Sequence, residues 1–480
     1  MCMIGLVGLS NAQQTFLRRL CAAVFKPVDI SFLIFFRILF GGIMLWEVCR
    51  YFTHDWITRY YVDPVVTFTY YGFSWVKPWP GRGMYFHFFV LGLAAACVMV
   101  GFLYRIAAPV FFLAFTYSFL LDQTRYLNHL YLVCLISFLM CFLPAERAGS
   151  VDALLRPGIR SAVVPAWTLW LLRAQLGIPY FYGGIAKLNS DWIHGGEPMR
   201  IWLSPLTKVP VFGHLFAADW LVYSFVIGGL VLDLLVVPLL LWRRTRLFGF
   251  LAAVAFNLIN AVIFEIGIFP WLMLGVLLIF FPPDLLRRLA RSFMSRPTEE
   301  SPRQQSQVSL TAQAIAETSQ PISVTSQGLV VGLLTLYLTV QLVFPLRHYF
   351  YPGNVSWTEQ GHNFAWHMKL RTKSGEAVFT VTHPQTGQTW IIKPADYLKS
   401  HQIIKMTTKP ELILQFGHHL AEEKRREGYA GVEVRAHVMV SLNGRQPQLL
   451  IDPNVDLAKE EVSLMPSRWI VPLTTPLGSR

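Results

Sequence analysis

The sequence predicts a polytopic α-helical membrane protein of about nine spans, followed by an extracytoplasmic, β-rich α+β domain. Three observations carry that reading. Of its 480 residues 54% are hydrophobic and only 14% charged, whereas soluble domains carry about 25% charged residues. Mean hydropathy is correspondingly positive, at +0.44. The apolar residues come in long runs broken by Arg-rich connections, and beyond residue 345 the pattern turns to alternation of apolar and polar positions, the period of a half-buried strand.

The formal charge of +13 could suggest a nucleic-acid partner. Its placement argues against one. Arg243-Arg244-Thr245-Arg246 and Arg287-Arg288-Leu289-Ala290-Arg291 directly flank apolar runs, where basic residues set orientation in the lipid bilayer. The six cysteines all lie in the first third of the chain without metal-ligand spacing, so neither a disulfide framework nor a metal site is expected.

In chain order, residues 1–31 read as a cytoplasmic N-terminal segment. Arg18 and Arg19 precede the first apolar stretch, and no small-residue cleavage site follows Phe32 to Cys49. That stretch is expected to be a retained span, not a removed signal peptide. A span needs about 20 apolar residues, and apolar runs fall near 32–50, 85–104, 107–121, 127–143, 166–186, 219–241, 247–265, 268–282 and 327–344. The third and eighth are short and suit a tilted or re-entrant segment. Residues 32–294 form the expected transmembrane catalytic bundle, 295–326 a flexible cytoplasmic linker rich in Ser, Thr, Gln and Pro, and 327–344 the last span. A cytoplasmic N-terminus puts the Arg-rich connections inside. The loops at 51–84 and 187–218 then share the extracytoplasmic side with the domain at 345–480.

In that domain Ala377-Val378-Phe379-Thr380-Val381-Thr382 and the run from Val432 to Val440 alternate like strands. Ser441-Leu442-Asn443-Gly444 supplies a turn, and Glu411 to Arg426 has helical spacing.

The signatures of soluble enzymes are missing: no G-x-S-x-G, P-loop, G-x-G-x-x-G or H-E-x-x-H. Candidates are instead the polar residues at membrane depth, where an ionisable group is costly and is a functional candidate by default. Lys187 follows the aromatic, glycine-rich end of the fifth run. An amine drawn out of water holds its proton less tightly and can serve as a base, but a lysine here can equally snorkel to the headgroups. At the start of the fourth run Asn128 can bond a ligand or cap the helix, and His129 can exchange protons or satisfy a buried carbonyl. Asn257 and Asn260 share one face of the seventh run and suit either a cavity or interhelical hydrogen bonds. Arg37, Glu47 and Asp233 are expected to form structural ion pairs.

Taken together, Leu121 to Leu132, Arg173 to Trp192, Phe256 to Trp271, Phe364 to Met368, Asp452 to Asp456 and Ser467 to Leu473 resemble the vitamin K-dependent γ-glutamyl carboxylases and the HTTM-like membrane domain they share with bacterial relatives. The resemblance runs from about Phe32 to the C-terminus. It implies an enzyme that uses reduced vitamin K (the hydroquinone), O₂ and CO₂ to turn protein glutamate into γ-carboxyglutamate, releasing the 2,3-epoxide, without a metal. The family's base falls on Lys187, and its assisting pair on Asn128 and His129. The cofactor-contacting set implied is Asn128, His129, Tyr180, Asn260 and Met368; the substrate-contacting set is Phe364, Trp366 and His362. Trp366 suits a core aromatic of the domain as well. Implied partners are a glutamate-containing protein or peptide and a quinone reductase that recycles the cofactor.

The chain departs from the animal enzymes in three places. His362 stands where they have an aromatic, Asn257 where they have histidine, and the domain after residue 345 has no cysteine where they carry a luminal disulfide, so its attachment must rest on packing. Two other readings remain: a quinone epoxidase-type relative that does not carboxylate protein, and a transporter or scaffold on the same bundle. A transporter would be expected to show mid-membrane breaks and a repeated half, and neither is visible. The absence of disulfides in the domain favours a bacterial inner membrane over the endoplasmic reticulum.

Overall fold

The computed structural model describes residue 19 and residues 21–264, 267–294 and 324–477. All but the end of the linker expected at 295–326 lies outside these residues. The bundle is built from α1 (Ser31–Thr53), α2 (Gly83–Val100), α3 (Tyr104–Leu120), α4 (Asn128–Met140), α5 (Trp167–Ala186), α6 (Asp219–Leu241), α7 (Arg246–Phe264), α8 (Phe269–Val276), α9 (Leu285–Met294) and α10 (Val324–Val343). Each apolar run of the sequence contains one of these helices, because backbone groups removed from water must bond within their own segment.

Length divides them. Among the described residues five helical stretches are long and apolar enough to cross a membrane: α1, α2, α6, α7 and the stretch Ser326–Phe350 that contains α10. A sixth is reached if Phe269–Phe280 and Leu285–Ser292, bent by 96° at their junction, count as one broken span. Of the nine spans expected, the third and eighth of them short, five or six are long and apolar enough among the described residues, with three helices left over. At 1.5 Å per residue α3 and α4 are only about 26 and 20 Å long, and α5 carries Arg173, Gln175 and Pro179 in its interior. Apolar composition alone does not separate a spanning helix from a buried one. On the arginine-rich side, β1 (Pro27–Asp29) pairs antiparallel with β2 (Val163–Pro165), and Arg287 of α9 bonds Asp29 at 3.0 Å.

The C-terminal domain is a four-stranded antiparallel sheet in the order β4-β3-β5-β6, with β3 (Lys373–Thr382), β4 (Thr389–Ile392), β5 (Glu433–Leu442) and β6 (Gln448–Leu449). The two runs read as strands lie in β3 and β5, paired from Lys373 opposite Leu442 to Thr382 opposite Glu433. Val434, Ala436, Val438, Val440 and Leu442 all face inward, as period-2 alternation requires. They pack with α12 (Pro410–Arg426) through Leu412, Ile413, Phe416 and Leu420, while α11 (Ser400–Met406) precedes it.

Polar ties join this domain to the bundle. Gln415 exchanges two hydrogen bonds with the backbone of Thr69, and Gln402 donates to the Val66 carbonyl and to Asp122. Asp191 accepts from Asn443 and, through both oxygens, from Arg445 at 2.6 and 2.7 Å. The loops after α1 and α5 thus lie on one face, against the domain. None of the five cysteines among the described residues forms a disulfide.

Inside the domain Glu359 accepts two hydrogen bonds from Arg371 and one from Lys373. Burial acts to raise its carboxyl, but the Arg371 and Lys373 cations outweigh that and hold it far below the usual range. Stability from this group is complete above about pH 4.3, the ordinary carboxylate value, and is lost as pH falls through the depressed one. Glu359→Gln leaves two buried cations without their anion, an error that costs about 3–5 kcal/mol. Thermal unfolding of the purified variant should show a clear loss of stability at pH 7, and an unchanged midpoint would contradict this account.

Candidate functional site

One cavity of about 600 Å³ opens where the start of α4, the end of α5, α6, α7 and the domain's 362–371 segment meet. Pockets for small organic ligands usually span about 300–1,000 Å³. Its two ends differ in chemistry. Between α6 and α7 it is lined by Phe225, Gly228, Gly229, Ala252, Ala255 and Ile259; at the domain end it is lined by His362, His367, Lys369, Arg371, Lys405 and Lys409.

Lys187 lines the same cavity. It is the C-cap of α5, and the next turn is capped by the Asn189 side chain, which accepts from the Trp192 amide. This break leaves the lysine free to turn inward. Its Nζ lies 2.5 Å from Asp233 Oδ2 and 3.3 Å from the Gly183 carbonyl it donates to, with the buried Trp192 ring at 5.4 Å. Only 5% of Lys187 is exposed, so it does not reach for the headgroups. Glycine favours the approach: a Cβ on Gly183 would stand 3.0 Å from Met368 Cε and 3.3 Å from Asp233 Oδ2, and one on Gly184 would stand 2.6 Å from the Leu234 side chain. Small residues of this kind let two helix backbones close on each other.

Asn128 does not cap α4. That place belongs to Leu127, with no side-chain cap bond. Its amide instead joins bundle to domain, donating to the His367 carbonyl at 3.1 Å and accepting from Tyr126 Oη at 2.9 Å, while Tyr126 Oη accepts from the Phe364 amide. An asparagine amide has two donors and two lone pairs, so one of each remains for a ligand. The His129 ring packs at 5.8 Å from Phe269 and has no protein hydrogen bond among the described residues. Asn257 donates to Tyr180 and to the Ala253 carbonyl, so it acts between helices, and it lines the cavity together with Asn260.

Of the residues singled out from the sequence, Asn128, His129, Tyr180, Lys187, Asp233, Asn257, Asn260, His362 and Met368 line this one cavity. Phe364 and Trp366 do not. Phe364 lies 4.8 Å from Tyr131 and 5.2 Å from Tyr126, and Trp366 lies 5.0 Å from Tyr131, so both form the aromatic packing behind the wall. Their backbone is unusual: Phe364, Trp366 and Lys369 have φ of 64°, 59° and 50°. Such left-handed residues cost about 1–2 kcal/mol each and collect at functional sites.

Two groups carry the electrostatics of the site. Asp233 is expected to form an ion pair, as are Arg37 and Glu47. Glu47 does pair, with Arg50 at 2.7 Å, and Arg37 bonds the Gly149 carbonyl instead of a carboxylate. Asp233 pairs with Lys187 on the cavity wall; its signal was an acid in the middle of a long apolar run. The second group is cationic. Lys369, Lys405 and Lys409 have no carboxylate within ion-pair distance among the described residues, and Lys369 and Lys409 rest instead on aromatic rings. Burial pulls Lys409 down to about 8 and His367 to about 3, the neighbouring His348 and Arg371 adding to the latter. Both ring nitrogens of His362 and of His367 are buried without a hydrogen-bond partner. Buried polar atoms left unpaired this way call for an explanation, and beside three unneutralised lysines a bound anionic group supplies one. Among the described residues no cluster of His, Cys, Asp or Glu could hold a metal ion.

Comparison with known proteins bears on both halves of the chain. Residues 25–285 match the model of the HTTM domain. Residues 326–476 match that of the vitamin K-dependent gamma-carboxylase lumenal domain. No solved structure matches the chain.

Proposed function

Because the chain belongs to the HTTM-domain family and is a γ-glutamyl carboxylase-type protein, a multi-pass membrane protein whose family takes vitamin K, we propose that its cavity couples oxidation of vitamin K hydroquinone to the 2,3-epoxide with carboxylation of protein glutamate. The observation that carries the proposal is the cavity itself. A single space joins an apolar wall, a buried amine and an unneutralised cationic cluster. A lipid-soluble quinone and a peptide carboxylate need opposite surroundings, and both are present within reach of Lys187.

The residues present suit the cofactor. Small side chains of α6 and α7 leave room for an apolar body, and His129, Asn128 and Asn260 offer polar groups at its rim. A glutamate γ-proton is far too weakly acidic for a side-chain base, so the strong base that removes it must come from oxygenation of the bound cofactor by O₂, with CO₂ as the carbon donor. The protein's own work is more modest. Lys187 Nζ accepts a proton from a cofactor hydroxyl, breaking O–H and forming N–H. His129 and Asn128 orient the oxygen or the carboxyl, Tyr180, Asn260 and Met368 bound the ring, and Phe364 and Trp366 hold the 362–371 wall in place. Lys369, Lys405 and Lys409, with His362, receive the substrate carboxylate, and the cavity wall limits the access of bulk water to the reacting carbon.

The test is to supply purified protein with reduced vitamin K, O₂, labelled CO₂ and a glutamate peptide, and to follow epoxide and label separately. Both products are expected. Epoxide without label would identify a quinone-oxidising relative that does not carboxylate; neither product would favour a transporter or scaffold.

The cationic cluster makes its own prediction. Lys405→Ala with Lys409→Ala should raise KM for the peptide by about tenfold or more, since charge-assisted bonds contribute about 1.5–3 kcal/mol each, and should leave KM for the quinone unchanged. Lys409 is charged below about pH 8 and neutral above it. In the unsubstituted protein peptide KM should therefore climb as pH rises through 8. A flat profile would remove Lys409 from the carboxylate site.

A further inference from the structure

We propose that Asp233 is a positioning residue of this site: its carboxylate aims the Lys187 amine into the cavity and sets how firmly that amine holds a proton. The inference rests on the reading of Lys187 as the base.

Four observations support it. Asp233 lies in the middle of α6, within a 23-residue apolar helix, where a carboxylate is costly to keep and is seldom found without a purpose. It is 3% exposed and lines the same cavity as Lys187. Its Oδ2 takes the shortest contact that Nζ makes, at 2.5 Å, against 3.3 Å to the Gly183 carbonyl. Finally, α5 comes close to α6 at Gly183-Gly184, where a Cβ would stand 3.3 Å from Asp233 Oδ2 or 2.6 Å from the Leu234 side chain, so the absence of side chains there favours the contact.

The chemistry follows from one negative charge. With Asp233 ionised, a proton arriving on Nζ turns a lone carboxylate into a neutral pair and is strongly favoured; without that charge the ammonium would be a single buried cation. In the transfer the O–H bond of the hydroxyl breaks with its electron pair left on oxygen, and the new N–H bond forms on the Nζ lone pair that faces the cavity, while an existing N–H of Nζ keeps donating to Asp233 Oδ2. Asp233 thus acts on the reaction only through Lys187. Other titratable groups facing the cavity are Tyr126 before α4, His129 of α4, Tyr180 of α5 and the histidines, lysines and Arg371 of the domain end, and none of them bonds Nζ among the described residues.

The test uses the full-length protein in two assays. In the absence of quinone, Lys187 is acetylated with acetic anhydride across a pH series and quantified by peptide mass spectrometry. In Asp233→Asn, whose amide oxygen can still accept from Nζ, the pH of half-maximal labelling should fall by about one unit or more, and Asp233→Glu should restore it in part. In the presence of reduced vitamin K and O₂, Asp233→Asn should lower kcat for epoxide formation at least tenfold with quinone KM little changed. An unmoved labelling midpoint together with normal kcat overturns the proposal, as does a loss of activity that tracks only a loss of folded protein. Lys187→Ala is run alongside: if it retains epoxidation, the reading of Lys187 as the base fails; if it is inactive while Asp233→Asn is normal, only the role given to Asp233 fails.

Discussion

Lys187→Ala should abolish vitamin K epoxide formation while the protein still inserts in the membrane and binds quinone. The expected loss is at least about 10²-fold, the lower end of what a positioned acid–base group contributes. Lys187 lies on the cavity wall, and its amine is turned inward by the helix break at Asn189. The variant leaves the buried Asp233 carboxylate without the Nζ donor it accepts from, which costs about 1–3 kcal/mol or more for a charged group. Folding must therefore be measured beside activity, and pairing the change with Asp233→Ala removes the stranded charge. Should the folded double variant still make epoxide, Lys187 is not the base.

Arg445→Ala should separate the two products. Arg445 is buried, bonds both oxygens of Asp191, and donates through Nε to the Thr475 carbonyl. Asp191 lies four residues beyond Lys187, so this contact ties the β5 turn of the domain to the segment that carries the amine. Burial opposes ionisation of Asp191, but the hydrogen bonds from Arg445 and Asn443 hold its carboxyl below the usual range. The tie is therefore complete above about pH 3.9 and weakens only as pH falls through the lowered value. Its loss leaves a half-buried carboxylate with Asn443 alone, at a cost of about 3–5 kcal/mol. The domain wall that carries the cationic cluster should then lift from the bundle. Incorporation of labelled CO₂ should fall about tenfold or more relative to epoxide, and limited proteolysis should cut the domain faster. Arg445→Lys should rescue only part of the effect, because an ammonium cannot reproduce the two-pronged contact. Equal loss of both products would show that the tie supports the whole fold and not the docking of one wall.

Much of this site was legible in the sequence because polar residues stand out in apolar runs. Lys187, Asn128, His129 and Asn260 were visible on that ground alone, and all four line the cavity. Phe364 and Trp366 were legible as important but not as to their place: an aromatic reads the same whether it faces a ligand or the packing behind one. The lysines at 369, 405 and 409 were illegible, since a soluble domain is full of lysines and only three dimensions show which of them lack an anion.

By itself the sequence determined that the chain lies in a membrane, that a β-rich domain follows the bundle, and which polar residues are candidates. These depend on composition and period, which are local properties. Tertiary structure decided that the amine of Lys187 turns to Asp233 and not to the headgroups, and that one cavity joins bundle to domain. Those outcomes depend on distances between residues far apart in the chain, such as the 46 positions from Lys187 to Asp233 and the 254 from Asp191 to Arg445, and no local pattern encodes them.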